Sequence, residues 1–225
     1  MGDIADWHVD QILNNDRPIY FNNRGVDRKM VKVKTGKVRF SYVHVFTPWA
    51  GDEGQEEKYS VCLIIDKSDK KTIKAIKNAI NELKEDKAAI NLWGGKNGKA
   101  PKNLKIPLRD GDEERDEMEE FEGKYFVNAN SKRQPGVINT KRKELTSEED
   151  FYSGCYGRAS IDLFAYNSNG SKGIAVGLNN LLFMEDGEPL GFTVTSAEDD
   201  FDDDLDDYDD DFDDDEDDED DDDDL

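Results

Sequence analysis

Cysteine and histidine are scarce in this sequence, and their positions exclude several kinds of site. The only examples are Cys62, Cys155, His8 and His44, and no cysteine–histidine spacing fits a zinc site. Each cysteine has apolar or aromatic neighbours, which is typical of reduced, buried thiols rather than of a disulfide framework. We therefore expect no metal site and no disulfide, and we expect the protein to reside in a reducing compartment.

Long apolar runs are also lacking. No run reaches the roughly 18 to 20 residues that cross a bilayer. The first residues, MGDIADWHVD, are acidic and do not show the basic-then-apolar order of a signal peptide. These features predict a cytoplasmic protein without membrane contact.

Catalytic motifs are missing as well. There is no G-x-S-x-G, GGKNGKAP does not fit a phosphate-binding loop, and Arg115 occupies the central glycine position of a calcium loop in DGDEERDEMEE. A metal-dependent nuclease is the least favoured alternative, because its candidate acid Glu82 and lysine Lys84 fall in a predicted helix rather than beside a strand-borne metal. We expect no enzyme activity and no cofactor.

Basic residues are absent from the last 28 positions, 198–225, which hold 23 acidic residues. Residues 1–197 therefore hold 31 acidic and 30 basic residues, so the net charge of -24 belongs to the end of the chain. Such a block buries almost nothing and is typical of disorder. We predict a folded domain over 1–197 and a disordered acidic tail over 198–225.

Strand patterns dominate the predicted domain. Alternating β-branched and aromatic residues recur in five segments: 31–46 with a break at Thr35-Gly36, 59–66, 124–131, 155–167 and 172–184. The last two are joined by NSNGS, a hairpin turn. Segment 68–86 instead has apolar residues at helical spacing, and Ser68 is its predicted N-cap. The apolar residues are Ile73, Ile76, Ile80 and Leu83.

This order of elements predicts a mainly β protein, an OB-fold-like antiparallel barrel with one inserted helix, long basic loops and a disordered acidic C-terminal tail. A β-sandwich is the alternative. The single helix and the modest number of strands favour the barrel.

The strand over 155–167 has two different faces. One carries small or aliphatic residues suited to a barrel interior, and the other carries Tyr156, Arg158, Phe164 and Tyr166. Unpaired bases stack on aromatic rings for about 1 to 3 kcal/mol each, while a nearby Arg or Lys binds the phosphate. Duplex bases are already stacked, so this face predicts binding of single strands.

Basic residues cluster in three stretches of the near-neutral domain, as expected for a surface that follows a phosphate backbone. The members assigned to DNA contact are Lys32, Lys34, Lys102, Lys105, Arg109, Lys132 and Arg133.

Further aromatic candidates are less clearly oriented. In the first strand, Tyr42 and His44 share a face with Val38 and Phe40, and that face is either core or groove; Arg39 faces the DNA if the faces are reversed. Trp93, in a lysine-rich loop, either stacks on bases or covers the helix. Tyr125 and Phe126 point to opposite faces, and Tyr125 is assigned to the groove.

Six segments taken in order, RFSYVHVFTP, KYSVCLIIDKSD, KIPLRDGDEE, QPGVIN, GCYGRASIDLFAYN and KGIAVGLNNL, resemble the bacteriophage and prophage single-stranded DNA-binding proteins with an OB-fold and an acidic tail. The resemblance covers about 31–190. It implies sequence-tolerant binding of single-stranded DNA during phage replication or recombination in a bacterial host. It also implies a tail that contacts replication or recombination proteins.

The tail itself carries apolar residues at helical spacing within the acids: Phe201, Leu205, Tyr208 and Phe212, followed by the terminal Leu225. We predict that they bind partner proteins and that the acids compete with DNA for the groove. A homodimer is compatible with the sequence. The rival interpretation is an acidic-tailed interaction protein, a DNA mimic or a chaperone of basic proteins, which leaves the aromatics and basic clusters unexplained.

Overall fold

The computed structural model describes residues 28–50, 56–168 and 170–191. The strands are β1 Met30–Lys34, β2 Val38–Trp49, β3 Lys58–Asp66, β4 Arg109–Asp110, β5 Lys124–Ser131, β6 Gly136–Asn139, β7 Tyr156–Ser168 and β8 Ser171–Glu185. The helices are α1 Lys70–Glu85, α2 Lys87–Leu92 and α3 Gly111–Glu114, and a 3-10 turn covers Glu119–Phe121. The predicted acidic tail lies outside the described residues.

β1 and β2 form one interrupted strand along β7. β1 pairs with 160–164 of β7 and β2 with 156–157, so the predicted break at Thr35-Gly36 falls between them. Thr35 spans the break: its N–H donates to the Ala159 carbonyl (3.0 Å) and its hydroxyl accepts the Ala159 N–H (2.9 Å). These two bonds continue the β7 hydrogen-bond ladder past the gap.

Five strands close into a ring. β2 pairs antiparallel with β3, and β3 pairs antiparallel with β5. β5 pairs in parallel with β8 at Asn130 and Gly177. β8 pairs antiparallel with β7, and β7 pairs antiparallel with β2, which closes the ring. A closed five-stranded barrel with a helix inserted between strands is the OB-fold. The β-sandwich alternative is wrong, because all the described strands belong to one continuous sheet. The parallel β5–β8 and β6–β8 pairs are departures from the purely antiparallel barrel that we expected.

The barrel interior is filled by the alternate residues that the strand patterns predict. On β7 the buried side is Ala159, Ile161, Leu163 and Ala165, as expected. The β7–β8 hairpin turns at 168–171, where Gly170 takes a φ of +76°. That backbone conformation suits glycine, because it has no Cβ to clash.

Helix α1 packs its predicted stripe against the barrel. Ile73, Ile76, Ile80 and Leu83 are all buried, and burying such a side chain stabilises the fold by about 1.5 to 3 kcal/mol. The N-cap is Asp69 rather than the predicted Ser68. The Asp69 carboxylate accepts the Thr72 N–H at 3.0 Å, which satisfies one of the free donors of the first turn.

Several short elements escaped the sequence patterns. Helices α2 and α3 each have six residues or fewer, and they add to the one inserted helix that the sequence predicted. Strand β6 forms within the basic stretch 131–143, where the sequence patterns predicted no strand. Elements this short contain less than one full period of hydrophobic repetition.

Candidate nucleic-acid interface

A bulge in β2 turns Tyr42 out of the barrel. Between Ser41 and His44, β2 has one more residue than β3, and Tyr42 there takes a φ of +48°. The inward side therefore changes parity: Phe40 and Val45 are both buried although an odd number of positions separates them. Tyr42 is 45% exposed. The expectation that Tyr42 shares a face with Phe40 is wrong, and a bulge is the reason.

His44 lies on the same outer surface and stacks with Trp49. The ring centroids are 5.0 Å apart and the planes differ by 12°. Trp49 is 54% exposed, the largest exposed fraction among the described large apolar residues. Lys58 of β3 is its partner in register. This pair is a ready surface for stacking with a flat ring.

Small polar residues continue this surface across β3 and β5. His44 is opposite Ser60, which is opposite Asn130 on β5; the next outward pair is Cys62 and Asn128. Directly opposed residues share a face of the sheet. We call the outer surface of these three strands the β2–β3–β5 face. It has aromatic rings at one side and short polar side chains at its centre.

A segment rich in acids covers the other end of this face. Residues 111–121, here called the acidic strap, insert Phe121 onto Phe126, with centroids 5.2 Å apart in an edge-on arrangement. Cys62 and Ile64 complete this second apolar cluster, and Leu190 packs on it. The described chain thus reaches Leu190 beside the β2–β3–β5 face.

Ion pairs already hold some of the predicted DNA-binding cations. Arg109 pairs with Glu114 of the strap, which raises the pKa of the guanidinium, and Lys132 pairs with Glu56, which lowers the pKa of that carboxyl. Arg133 is exposed. A strand must therefore displace a carboxylate to use Arg109 or Lys132.

The lysine-rich loop after α2 is fixed to the β7–β8 hairpin. The Lys105 N–H donates to the Lys172 carbonyl, and the Ile174 N–H donates to the Lys105 carbonyl, both at 3.0 Å. Lys102 and Lys105 are exposed, as are Lys96 and Lys99. This loop presents a row of ammonium groups next to the hairpin tip.

The predicted residues of β1 and β7 lie on a different side of the barrel. Lys32, Lys34 and Arg158 are exposed there, and the Arg158 Nε–H donates to the Thr35 carbonyl at 2.8 Å. Phe164 and Tyr166 are half-buried. The structure therefore divides the predicted set between two sides, which sequence alternation within one strand could not reveal.

Tyr156 and Arg39 hold the segment that follows β8. Arg39 donates to the carbonyls of Gly154 (3.1 Å) and Glu188 (2.6 Å), and its guanidinium lies 5.6 Å from the Tyr156 ring centre. A Cβ on Gly187 would stand 2.6 Å from Tyr156 Cε2, so the chain runs against one edge of that ring. Both side chains have structural contacts that compete with any contact to DNA.

Two of the predicted stacking residues are placed elsewhere. Trp93 is only 1% exposed, and its Nε1–H is shared between the carbonyls of Tyr166 and Gly173, so it is a core residue and cannot stack on a base. Tyr125 packs against the main core and lies beneath Lys67 and Lys77. The outward partner on β5 is Phe126, which is itself covered by the strap.

Both cysteines are free and buried, as the sequence predicted. Burial raises the pKa of the Cys62 thiol to about 12 and that of Cys155 to about 11. Thiols are reactive as thiolates, so neither is suited to nucleophilic chemistry at neutral pH.

Sequence reasoning missed Trp49, Lys58, Asn128, Asn130 and Arg115 as residues of this face. Trp49 closes the first strand before an acidic loop, and Arg115 is the only base in a run of acids; each was a usable signal. Asn128 and Asn130 gave no signal in the sequence, because their position on this face depends on the pairing of β3 with β5.

Over the described ranges, no helix is long and apolar enough to span a membrane. In the same ranges, no three His, Cys, Asp or Glu side chains come together as a candidate metal site.

Comparisons with known proteins agree with this architecture. The family model described as "Enterobacter phage Enc34, ssDNA-binding protein" matches residues 31–220. Protein p50 of Acyrthosiphon pisum secondary endosymbiont phage 1 is 30% identical over 177 residues, which is 75% of this chain and 92% of that protein.

Two solved structures are also similar. The single-stranded DNA-binding protein of bacteriophage Enc34 in complex with ssDNA matches with a TM-score of 0.60 and 32% identity, over 71% of this chain and 89% of that one. The single-stranded DNA-binding protein gp2.5 of bacteriophage T7 matches with a TM-score of 0.52 and 13% identity, over 72% and 96%. The latter likeness concerns the fold alone. The chain belongs to the family of the Enterobacter phage Enc34 ssDNA-binding protein.

Proposed function

We propose that this protein binds single-stranded DNA without sequence preference, with the strand crossing the β2–β3–β5 face. The observation that carries the proposal is the outward group of Tyr42, His44 and Trp49 beside a low polar floor. Rings of this kind stack on any base, whereas hydrogen-bond readout would need a fixed set of donors and acceptors. In OB-folds the second and third barrel strands, here β3 and β5, are the usual oligonucleotide-binding surface.

The position of the β7–β8 hairpin supports the same path. In OB-folds the loops after the first and fourth barrel strands flank the ligand, and here these are the β2–β3 loop and the β7–β8 hairpin. The hairpin carries the fixed lysine loop with Lys102 and Lys105. Aromatic rings on the face and ammonium groups on the hairpin loop suit a strand whose bases and phosphates are both accessible.

In this proposal the protein coats single strands during replication or recombination of phage DNA in the cytoplasm of a bacterial host. The relatives described above are phage proteins, and the Enc34 protein was solved with ssDNA. Binding, not catalysis, is the role assigned to the described residues.

The test is a titration of fluorescein-labelled oligothymidine followed by anisotropy over a series of salt concentrations. We expect tight binding at low salt, with log affinity falling by about 0.7 per phosphate contact for each unit of log salt. A duplex of equal length should bind more weakly. Failure to bind at low salt, even after removal of 198–225, would contradict the proposal, and metal-dependent shortening of the oligonucleotide would favour a nuclease.

We also propose that the acidic tail competes with DNA for this face and, once displaced, contacts replication or recombination proteins. Leu190, one residue before the end of the described range, packs beside the face, and the acids begin at Glu198. A flexible segment of 28 residues has an r.m.s. span of about 30 Å, enough to reach across a small domain.

Deletion of 198–225 should raise the affinity for single strands and reduce the discrimination against duplex. Unchanged affinity at low salt would refute competition. The matched control replaces Phe201, Leu205, Tyr208 and Phe212 by serine: it keeps the charge, so DNA affinity should stay at the wild-type value while partner binding falls.

A further inference from the structure

Among the residues that the structure describes, Arg115 is an arginine without a carboxylate partner in an acidic segment. The stretch from Asp110 to Glu122 holds nine acidic residues. Arg109 and Lys67 both form ion pairs with this stretch, yet within the described ranges Arg115 forms none. It is half-buried, so it is not simply a solvated surface charge.

The Arg115 guanidinium instead rests on aromatic rings. It lies 5.1 Å from the ring centre of Tyr42, 4.9 Å from that of Phe121 and 5.4 Å from that of Phe126. One of its nitrogens donates to the Tyr42 hydroxyl at 2.9 Å. A guanidinium stacks on rings readily but gains most from a planar, bidentate oxyanion, and this position supplies none.

The acidic strap that carries Arg115 is fixed at its base. Lys67 pairs with Asp110 and Asp112 at 2.6 and 2.7 Å, and Asp112 also accepts the Gly123 N–H at 2.6 Å. Phe121 is fully buried at the other end. Arg115 is therefore held over the β2–β3–β5 face by a segment that is fixed at both ends.

Tyr42 meets Arg115 in a conformation that has a cost. A tyrosine at a φ of +48° is uncommon, and such backbone strain of about 1 to 3 kcal/mol persists where the surrounding structure imposes it, often at binding sites. The result is an exposed ring with a cation placed over it.

We propose that Arg115 is a strand-contacting residue of the DNA site. In the free protein its guanidinium covers the Tyr42 ring; in the complex a base stacks on that ring and the guanidinium binds the strand's phosphate in bidentate fashion. Among the described cations at that border of the face, Arg109 is paired with Glu114, whereas Arg115 has no carboxylate partner to displace. The inference rests on the proposed single-strand binding and names a residue that carries it.

The experiment compares full-length wild type with Arg115→Met and Arg115→Lys by anisotropy titration of oligothymidine over a salt series. Arg115→Met should flatten the dependence of log affinity on log salt by about 0.7, the value of one phosphate contact on a single strand. Arg115→Lys should keep the slope and bind a few-fold more weakly, since an ammonium is a point charge without the planar fork. Lys74→Met, an exposed lysine on α1, is the matched control and should leave the slope unchanged.

A slope in Arg115→Met equal to that of the wild type would overturn the inference, because a purely structural arginine changes affinity without changing the number of phosphate contacts. Thermal unfolding checks that each variant is folded, and Arg115→Gln replaces the methionine variant if that one is not. If the wild type fails to bind oligothymidine, the proposed function itself is wrong; if only the Arg115 slope is unchanged, the proposed function stands.

Discussion

The imidazole of His44 and the indole of Trp49 are stacked, with ring centroids 5.0 Å apart and planes within 12° of each other. Stacking with His44 orders a side chain that would otherwise be free on the surface, and it leaves the rest of the indole open to solvent. An ordered, exposed ring loses little conformational entropy when a base stacks on it. This pair is therefore the most accessible stacking surface on the β2–β3–β5 face.

Trp49→Ala should weaken binding of oligothymidine by about 1 to 3 kcal/mol, the usual contribution of one stacked base. Stability should change little because the side chain is half exposed. Anisotropy at a fixed low salt concentration measures the loss. The control is Met184→Ala, which removes another exposed apolar side chain outside this face; equal affinity in both variants would argue against stacking at Trp49.

Trp93→Phe should show the opposite pattern. The indole is buried and its Nε1–H serves the Tyr166 and Gly173 carbonyls, so the change leaves a gap and two carbonyls without that donor. We expect the free energy of unfolding to fall by about 2 kcal/mol in urea titrations. The affinity of the folded protein for oligothymidine should match the wild type, and a large loss of affinity at unchanged stability would restore Trp93 as a DNA contact.

Glu114→Gln should strengthen binding. Glu114 neutralises Arg109 at the border of the face, and both side chains are more than a third exposed, so the pair itself adds little stability. Release of Arg109 should raise the affinity for single strands and steepen the salt dependence by about 0.7. Glu85→Gln, an exposed acid at the end of α1, controls for the change in net charge. An identical gain in both variants would indicate a general charge effect.

The end of β3 should respond to acid. Hydrogen bonds from Lys124 and then from Ser68 hold the pKa of Asp66 well below its usual range. A carboxyl whose pKa is lowered by folding stabilises the fold above its unfolded pKa of about 3.9, and this contribution is lost as the pH falls through the lower, folded value. Asp66→Asn should thus lower the thermal unfolding midpoint at pH 7 more than at pH 3. A difference that does not shrink in acid would contradict the assignment.

Much of the barrel could be predicted from the sequence because its signals are local. The alternation in β7 fixes which side chains enter the core, since successive strand residues point to opposite faces. The α1 stripe has the period of a helix, and Asn-Gly marks the hairpin. Each of these features depends on residues a few positions apart.

The candidate site followed from the sequence only in part. The lysines after α2 and on β1 are exposed, as the sequence predicted, but those on β1 lie on a different side of the barrel from the β2–β3–β5 face. Tyr42 and His44 were chosen as groove residues, but their orientation depends on a bulge between β2 and β3. A bulge changes parity without leaving a signal in the strand that contains it.

The sequence by itself determined the mainly β class, the inserted helix and the contrast between a near-neutral stretch and an acidic end. Only the tertiary structure decided that Trp93 is core, that Trp49 is exposed, and that Arg115 lies on Tyr42, 73 positions away in sequence. Such contacts arise when strands and loops that are distant in the chain meet on the closed barrel. Whether an aromatic ring is buried or open depends on what packs over it, and no local pattern encodes that neighbour.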